Sequence, residues 1–225
     1  MNNYIISGSM IPTILGVNKW ESPLELYLRV RSGEKVEDNE AMELGRTLEN
    51  YIGVWVAEKI NTPINILTGS EQAVVIHPEK TYYRGHIDGV TKNGSVVEIK
   101  TTRQNISELP IEYYAQLQFY MWLKGATNGV IGVYKYDVPP NIMKKLISAD
   151  QSWIREVGTV EVWKVDPDPD MWLAIEEEGD KFYEALIKGV PPAPPTTIEQ
   201  VRYLFAKATR KSKNIENEVK EKITR

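Results

Sequence analysis

The run Gly85-His86-Ile87-Asp88-Gly89, a break at Lys92-Asn93-Gly94-Ser95, and then Val96-Val97-Glu98-Ile99-Lys100 set a β-hairpin in the middle of this 225-residue chain. Asn-Gly between two β-rich segments is the strongest short-range hairpin signal, because both residues tolerate the left-handed backbone of a tight turn. Side chains two apart on a strand point the same way, so Glu98 and Lys100 share a face. An aspartate on one strand and Glu-x-Lys on the next is what a divalent-metal phosphodiester nuclease needs. The carboxylates suit Mg²⁺, with Mn²⁺ able to substitute, and the lysine orients or helps deprotonate water and offsets charge developing on the phosphate. The bland alternative is a solvated hairpin that carries charge without function.

Two flanking segments add to the pattern. Within 111–123 the apolar period is helical, and Tyr113, Gln116 and Tyr120 fall on one face, although aromatic stripes are usually core. Upstream, Met42-Glu43-Leu44-Gly45-Arg46-Thr47-Leu48-Glu49 starts another helical run, in which Gly45 and Glu49 lie one turn apart. A missing side chain beside a carboxylate leaves room for a substrate, with Arg46 adjacent. A lone helical glutamate is normally a surface charge, so Glu49 gains weight only from the other pieces.

Together with Gly8-Ser9-Met10-Ile11-Pro12-Thr13-Ile14-Leu15-Gly16, these residues resemble the ordered motifs of the YqaJ-type viral recombinases, the phage lambda exonuclease branch of the PD-(D/E)xK nucleases. The likeness runs over about residues 4–195. It implies an α/β (α+β) restriction-endonuclease-like core, a central mixed β-sheet flanked by helices, with residues 1–195 as the exonuclease domain and 196–225 as a C-terminal helical extension of it. By the same resemblance Asp88, Glu98 and the backbone carbonyl of Ile99 bind metal, supported by Glu49 directly or through water. Lys100 matches the catalytic lysine, Gln116 lies beside the scissile phosphate, and Ser9 matches a phosphate-contacting serine. Tyr120 completes a Gln-x-x-x-Tyr motif shared with RecB-like nucleases, where a structural part is as fitting as a catalytic one.

The expected activity is 5′-to-3′ digestion of linear double-stranded DNA, leaving 3′ single-stranded tails for phage-type recombination. The family also implies a homotrimer around the duplex and a single-strand annealing protein as partner. Two alternatives stay open: a RecB-like or structure-specific nuclease of other polarity, and a catalytically silent DNA-binding or assembly module on the same fold.

The chain departs from the family pattern in two places. His86-Ile87-Asp88 stands where many members have Pro-Asp, which leaves the ligands intact. The arginine that grips a 5′-phosphate upstream of the Gly-Ser motif has no counterpart, with Arg46, Arg84 or Lys19 as possible substitutes. His86, two residues before Asp88, is placed to meet a phosphate or water; His77 is assigned no role.

Composition fits without deciding. With 42% hydrophobic and 26% charged residues and no apolar run of membrane-spanning length, the expectation is a cytoplasmic protein of a bacterial host, phage- or prophage-encoded. Zero cysteines exclude disulfides and thiolate-bound zinc, and also the four-cysteine iron–sulfur cluster of Cas4-like and AddB-like nucleases. A net charge of −4 means that DNA contact depends on local patches, with candidates at Lys135, Lys144 and Lys145 and in the tail at Lys207, Arg210, Lys211 and Lys213.

The coarse pattern predicts strands at 73–76, 82–88, 96–101, 129–136 and 160–165 in the central sheet. It predicts helices at 12–15, from Pro23 with Ser22 as N-cap, through Glu49, and at 111–123, 171–187 and 198–208. Asp166-Pro167-Asp168-Pro169-Asp170 reads as a capping turn before 171–187, and Pro191-Pro192-Ala193-Pro194-Pro195 as a break.

Overall fold

The computed structural model describes residues 4–67, 69–70 and 73–209. Among them, the strands β1 (Ile64–Ile66), β4 (Gly89–Thr91), β5 (Val96–Thr102), β6 (Gly129–Tyr136) and β7 (Gly158–Val165) form one sheet in the order β1-β4-β5-β6-β7. β5 and β6 are parallel and the other pairs antiparallel. Parallel neighbours need a crossover, and α4 (Ile111–Lys124) provides it. The strands β2 (Val74–Ile76) and β3 (Arg84–His86) form a separate two-stranded ribbon.

That ribbon corrects the expected topology. The strand predicted at 82–88 is confined to Arg84–His86, which pair with β2, and after a break at Ile87-Asp88 a separate strand starting at Gly89, beyond the predicted end, joins the main sheet. Residues 73–76, expected in the central sheet, belong to the ribbon instead. The Asn93-Gly94 hairpin is present, Gly94 taking φ +82° between β4 and β5. β1 was not foreseen, nor were the helices α5 (Pro140–Ala149) and α6 (Trp153–Glu156), the first of which carries Lys144 and Lys145.

Helices cover both sheet faces. On one side α3 (Glu40–Ile60) packs Leu44, Leu48, Ile52 and Val56 against Val97, Ile99, Val130 and Tyr134. Gly132 makes this close: a Cβ there would lie 2.3 Å from Val56 Cγ2. On the other side Leu117 and Met121 of α4 meet Val96, Ile131 and Val133, the alternate residues of the same strands. Glu98 and Lys100 therefore fall in register with the α4 face.

The ends of the chain close the α4 layer. α1 (Ile11–Ile14) follows a 3-10 turn at Gly8–Met10, and α2 (Pro23–Ser32) starts at Ser22, whose side chain and Glu25 form a reciprocal capping box. α7 (Pro169–Lys188) starts at Asp168, which accepts from the Met171 N–H, so the Asp-Pro repeat is a cap. α8 (Ile198–Thr209) buries Val201 and Leu204 in the same core. Among the described residues, no helix is long and apolar enough to cross a membrane.

Candidate active site

Three elements converge on a cavity of about 450 Å³: α3 brings Gly45 and Glu49, the β3–β4 break and β5 bring Asp88, Glu98 and Lys100, and α4 brings Gln116 and Tyr120. The break matters locally. By leaving the strand at Asp88, the chain turns that carboxylate onto the edge of β5, where its Oδ2 accepts from the Ile99 N–H at 2.6 Å. In an extended strand a residue's N–H and C=O point to the same side, so the Ile99 carbonyl is turned to that edge too.

Glu98 is 2% exposed. Its Oε1 lies 2.7 Å from Lys100 Nζ, which bears out the shared face, and its Oε2 is buried with no hydrogen-bond partner. Burial, with Asp88 beside it, pushes the Glu98 carboxyl up to about 8. The Asp88 carboxyl is also raised, by burial, against the pull of Lys100, Ile99 and a side-chain hydrogen bond with Glu49. Two carboxyl groups share a hydrogen bond only if one holds a proton. Burial lowers the Lys100 ammonium, but Glu98 and Asp88 more than offset it and hold the group above its ordinary value. The ammonium also stands 5.7 Å from the centre of the Tyr113 ring.

The site thus gathers three carboxyl groups around one cation. Among the described residues, no three acidic, histidine or cysteine side chains already form a closed metal-holding set. A closed set is not required for Mg²⁺, which binds through one or two carboxylates and keeps several waters. The unpaired Glu98 oxygen, the raised carboxyls and the all-oxygen donors fit a hard divalent cation.

Gln116 is buried, and its Nε2 donates to the Tyr120 hydroxyl at 3.3 Å. The Tyr120 ring is core: a Cβ on Gly8 would come 2.4 Å from its Cζ, and one on Gly85 2.7 Å from its Cε1. The Gly-Ser motif and β3 are glycine at these points because the ring passes between them. Tyr120 thus has the structural part that the sequence left open beside a DNA contact, and it also lines the cavity. Gly45 lines the cavity, and a Cβ there would stand 3.2 Å from Thr101 Oγ1, so the glycine lets α3 approach β5 closely at this wall.

The other predicted contacts divide. His86 lines the cavity. Ser9 lies on an adjoining groove of about 820 Å³ that shares Lys100 and Gln116, its Oγ 3.2 Å from Ser7 Oγ. Arg46 reaches the cavity wall but is bound by both carboxylate oxygens of Asp38. Arg84 lies exposed on β3, away from the lining of either hollow. Lys19 lies on the groove, 3.5 Å from Glu112. Of the expected basic patch, Lys135 is paired with Glu161 and Lys144 with Glu43, and Lys207 lines a hollow with Asp166, Asp168 and Asp170. Arg210, Lys211 and Lys213 lie outside the described residues. Trp20, which the sequence reading passed over, stands on the groove wall. Its only signal was an aromatic side chain between the Gly-Ser motif and the Ser22 cap.

Comparison with known proteins agrees with this architecture. An alkaline exonuclease from Laribacter hongkongensis, LHK-Exo, superposes with a TM-score of 0.58 at 16% identity, over 92% of this chain and 94% of that one; its complex with dAMP gives the same values. A phage-related exonuclease from Haemophilus somnus 129PT matches with a TM-score of 0.54 at 16% identity, over 82% and 96%. The shared fold is the PD-(D/E)xK architecture. YqaJ of Bacillus subtilis (strain 168), itself uncharacterized, is 30% identical over 129 residues, 53% of this chain, which spans only 39% of that protein's length. The model of the YqaJ-like viral recombinase domain matches residues 1–127, more than half of the chain, which therefore belongs to that family.

Proposed function

We propose that the chain is a divalent-metal-dependent deoxyribonuclease acting as a 5′-to-3′ exonuclease on linear duplex DNA, leaving 3′ single-stranded tails for phage-type recombination. The observation that carries it is the buried cluster of Glu49, Asp88 and Glu98 around a single ammonium, with one Glu98 oxygen unpaired. Asp88, Glu98, the Ile99 carbonyl and Glu49 would hold Mg²⁺ or Mn²⁺. Such a cation supplies Lewis acidity to the phosphate and positive charge against the crowded carboxylates.

The chain's own groups do the remaining work. Lys100 is held as a cation, so it stabilises charge developing on the phosphate oxygens and positions the attacking water rather than taking its proton. Gln116, tied to Tyr120, directs an amide at the same phosphate. Ser9 and His86 border the path of the strand, and Arg46 joins them by exchanging Asp38 for a phosphate. Arg84 has no part in this path. Family membership supports a homotrimer and a single-strand annealing partner, in a phage or prophage setting in the host cytoplasm.

The test is digestion of linear duplex DNA labelled at either end, with 5′-phosphate or 5′-hydroxyl termini, in Mg²⁺ and in EDTA, beside Asp88→Ala. Mg²⁺-dependent loss from the 5′ end, abolished in the variant with its circular dichroism unchanged, is expected. Cutting of single strands or branched DNA alone would replace the duplex exonuclease by a structure-specific enzyme, and full activity in Asp88→Ala would remove the site assignment.

A further inference from the structure

Trp20 is 82% exposed, the most exposed large apolar side chain among the described residues. Single apolar side chains are common on surfaces, so exposure alone says little. Its setting says more. Trp20 forms part of the wall of the groove that continues from the cavity, and Lys100 and Gln116 belong to both hollows.

The loop that presents it is pinned on both sides. Val17 N–H and Asn18 N–H both donate to the Pro12 carbonyl, at 2.9 and 3.0 Å. Asn18 Nδ2 donates to Thr13 Oγ1 at 2.7 Å, and Asn18 Oδ1 accepts from the Trp20 N–H at 2.9 Å. The next residue, Glu21, is clamped by Arg29 at 2.7 Å. A large flat ring is thus held out in water by a turn that loses little further freedom when something stacks on it.

The groove's charge selects the kind of ligand. Lys19 is offset by Glu112, and Glu108 also lines the wall, so this is not a basic trough for a phosphate backbone. Every nucleobase has a π-face, and a tryptophan face accepts any of them. We propose that Trp20 stacks on a nucleobase of the strand whose phosphate reaches Lys100, which makes it a positioning residue for that strand. This rests on the nuclease reading of the cavity, and it names a residue that holds the strand beside it.

The test is anisotropy binding of a labelled single strand of about 12 nucleotides to the Asp88→Ala chain, alone and combined with Trp20→Ala or Trp20→Phe. A series of strands carries one abasic site at successive positions. Trp20→Ala is expected to weaken binding about tenfold, Trp20→Phe to retain most of it, and the Trp20→Ala loss to vanish for the strand lacking the stacked base. Equal affinity of Trp20→Ala and its parent, a loss unchanged at every abasic position, or no binding by the parent overturns the proposal. A wild-type chain that cleaves DNA without regard to Trp20 sinks only the stacking. One that binds through Trp20 yet never cleaves sinks only the nuclease.

Discussion

Two charged clusters sit at opposite ends of the β3 region and solve the same problem in opposite ways. Around Asp180, the acceptors are matched by donors: Tyr82 and Tyr83 each donate a hydroxyl to its Oδ1 at 2.8 Å, and Lys80 bridges Asp180 and Glu176. Burial would raise the Asp180 carboxyl, but Lys80 and the two phenols hold it below its ordinary range. Around Glu98, three carboxyl groups share one ammonium, an oxygen is left unpaired, and Asp88 and Glu98 are driven upward. A satisfied cluster ties elements together; one with surplus acceptors is held in readiness for a cation.

The sharpest way to break this contrast is a pair of substitutions. Glu98→Gln is expected to cut DNA hydrolysis by about 100-fold or more, because in the proposed site it removes a metal donor, yet to leave the fold at least as stable as wild type. The sign follows from linkage: a carboxyl whose folded value is raised to about 8 loses stability as pH climbs from its unfolded value toward 8, so the neutral amide gains on wild type at alkaline pH. Asp180→Ala is expected to cost about 2 kcal/mol, since it leaves Lys80 with Glu176 alone and takes an acceptor from the Tyr82 and Tyr83 hydroxyls, and to leave cleavage per folded molecule unchanged. Urea unfolding and hydrolysis rates on both variants check this; equal destabilisation would erase the distinction.

Cation affinity sharpens it further. Without metal, Glu98 holds a proton below about pH 8, and a divalent cation must displace it. Mg²⁺ affinity by calorimetry is expected to rise with pH, by up to about tenfold per unit below pH 8, and to level off above it. A flat profile would mean that the carboxyls are not crowded in solution.

The smallest effect concerns Glu178, another donor-rich carboxylate. Burial raises it, but Thr196 and Lys181 hold it below the ordinary range of a glutamate. Its stabilisation is present above the unfolded value and fades as pH falls through the lower folded one. Glu178→Gln is therefore expected to flatten the acid limb of the urea midpoint, with little change at neutral pH.

Much of the site was legible because its spacing is local. Glu98 and Lys100 alternate on one strand, Gly45 and Glu49 lie one helical turn apart, and the Asn93-Gly94 turn brings two strands together. Where Arg84 and Tyr120 sit relative to the cavity is something sequence does not carry. An arginine reads the same on any strand, and a tyrosine beside a glutamine reads the same whether it faces substrate or fills the gap left by Gly8 and Gly85.

By itself, then, the sequence determined the shared face of Glu98 and Lys100, the turn of Gly45 and Glu49 and the helix caps, all properties of neighbours along the chain. Tertiary structure alone decided that residues 84–91 divide into two strands of different sheets, broken at Ile87-Asp88. An extended segment offers the same hydrogen-bonding edge to any partner, and here Val74–Ile76 took one half while β1 and β5 took the strand that follows the break. That division turns Asp88 out of a strand and onto the Ile99 edge, next to Glu98.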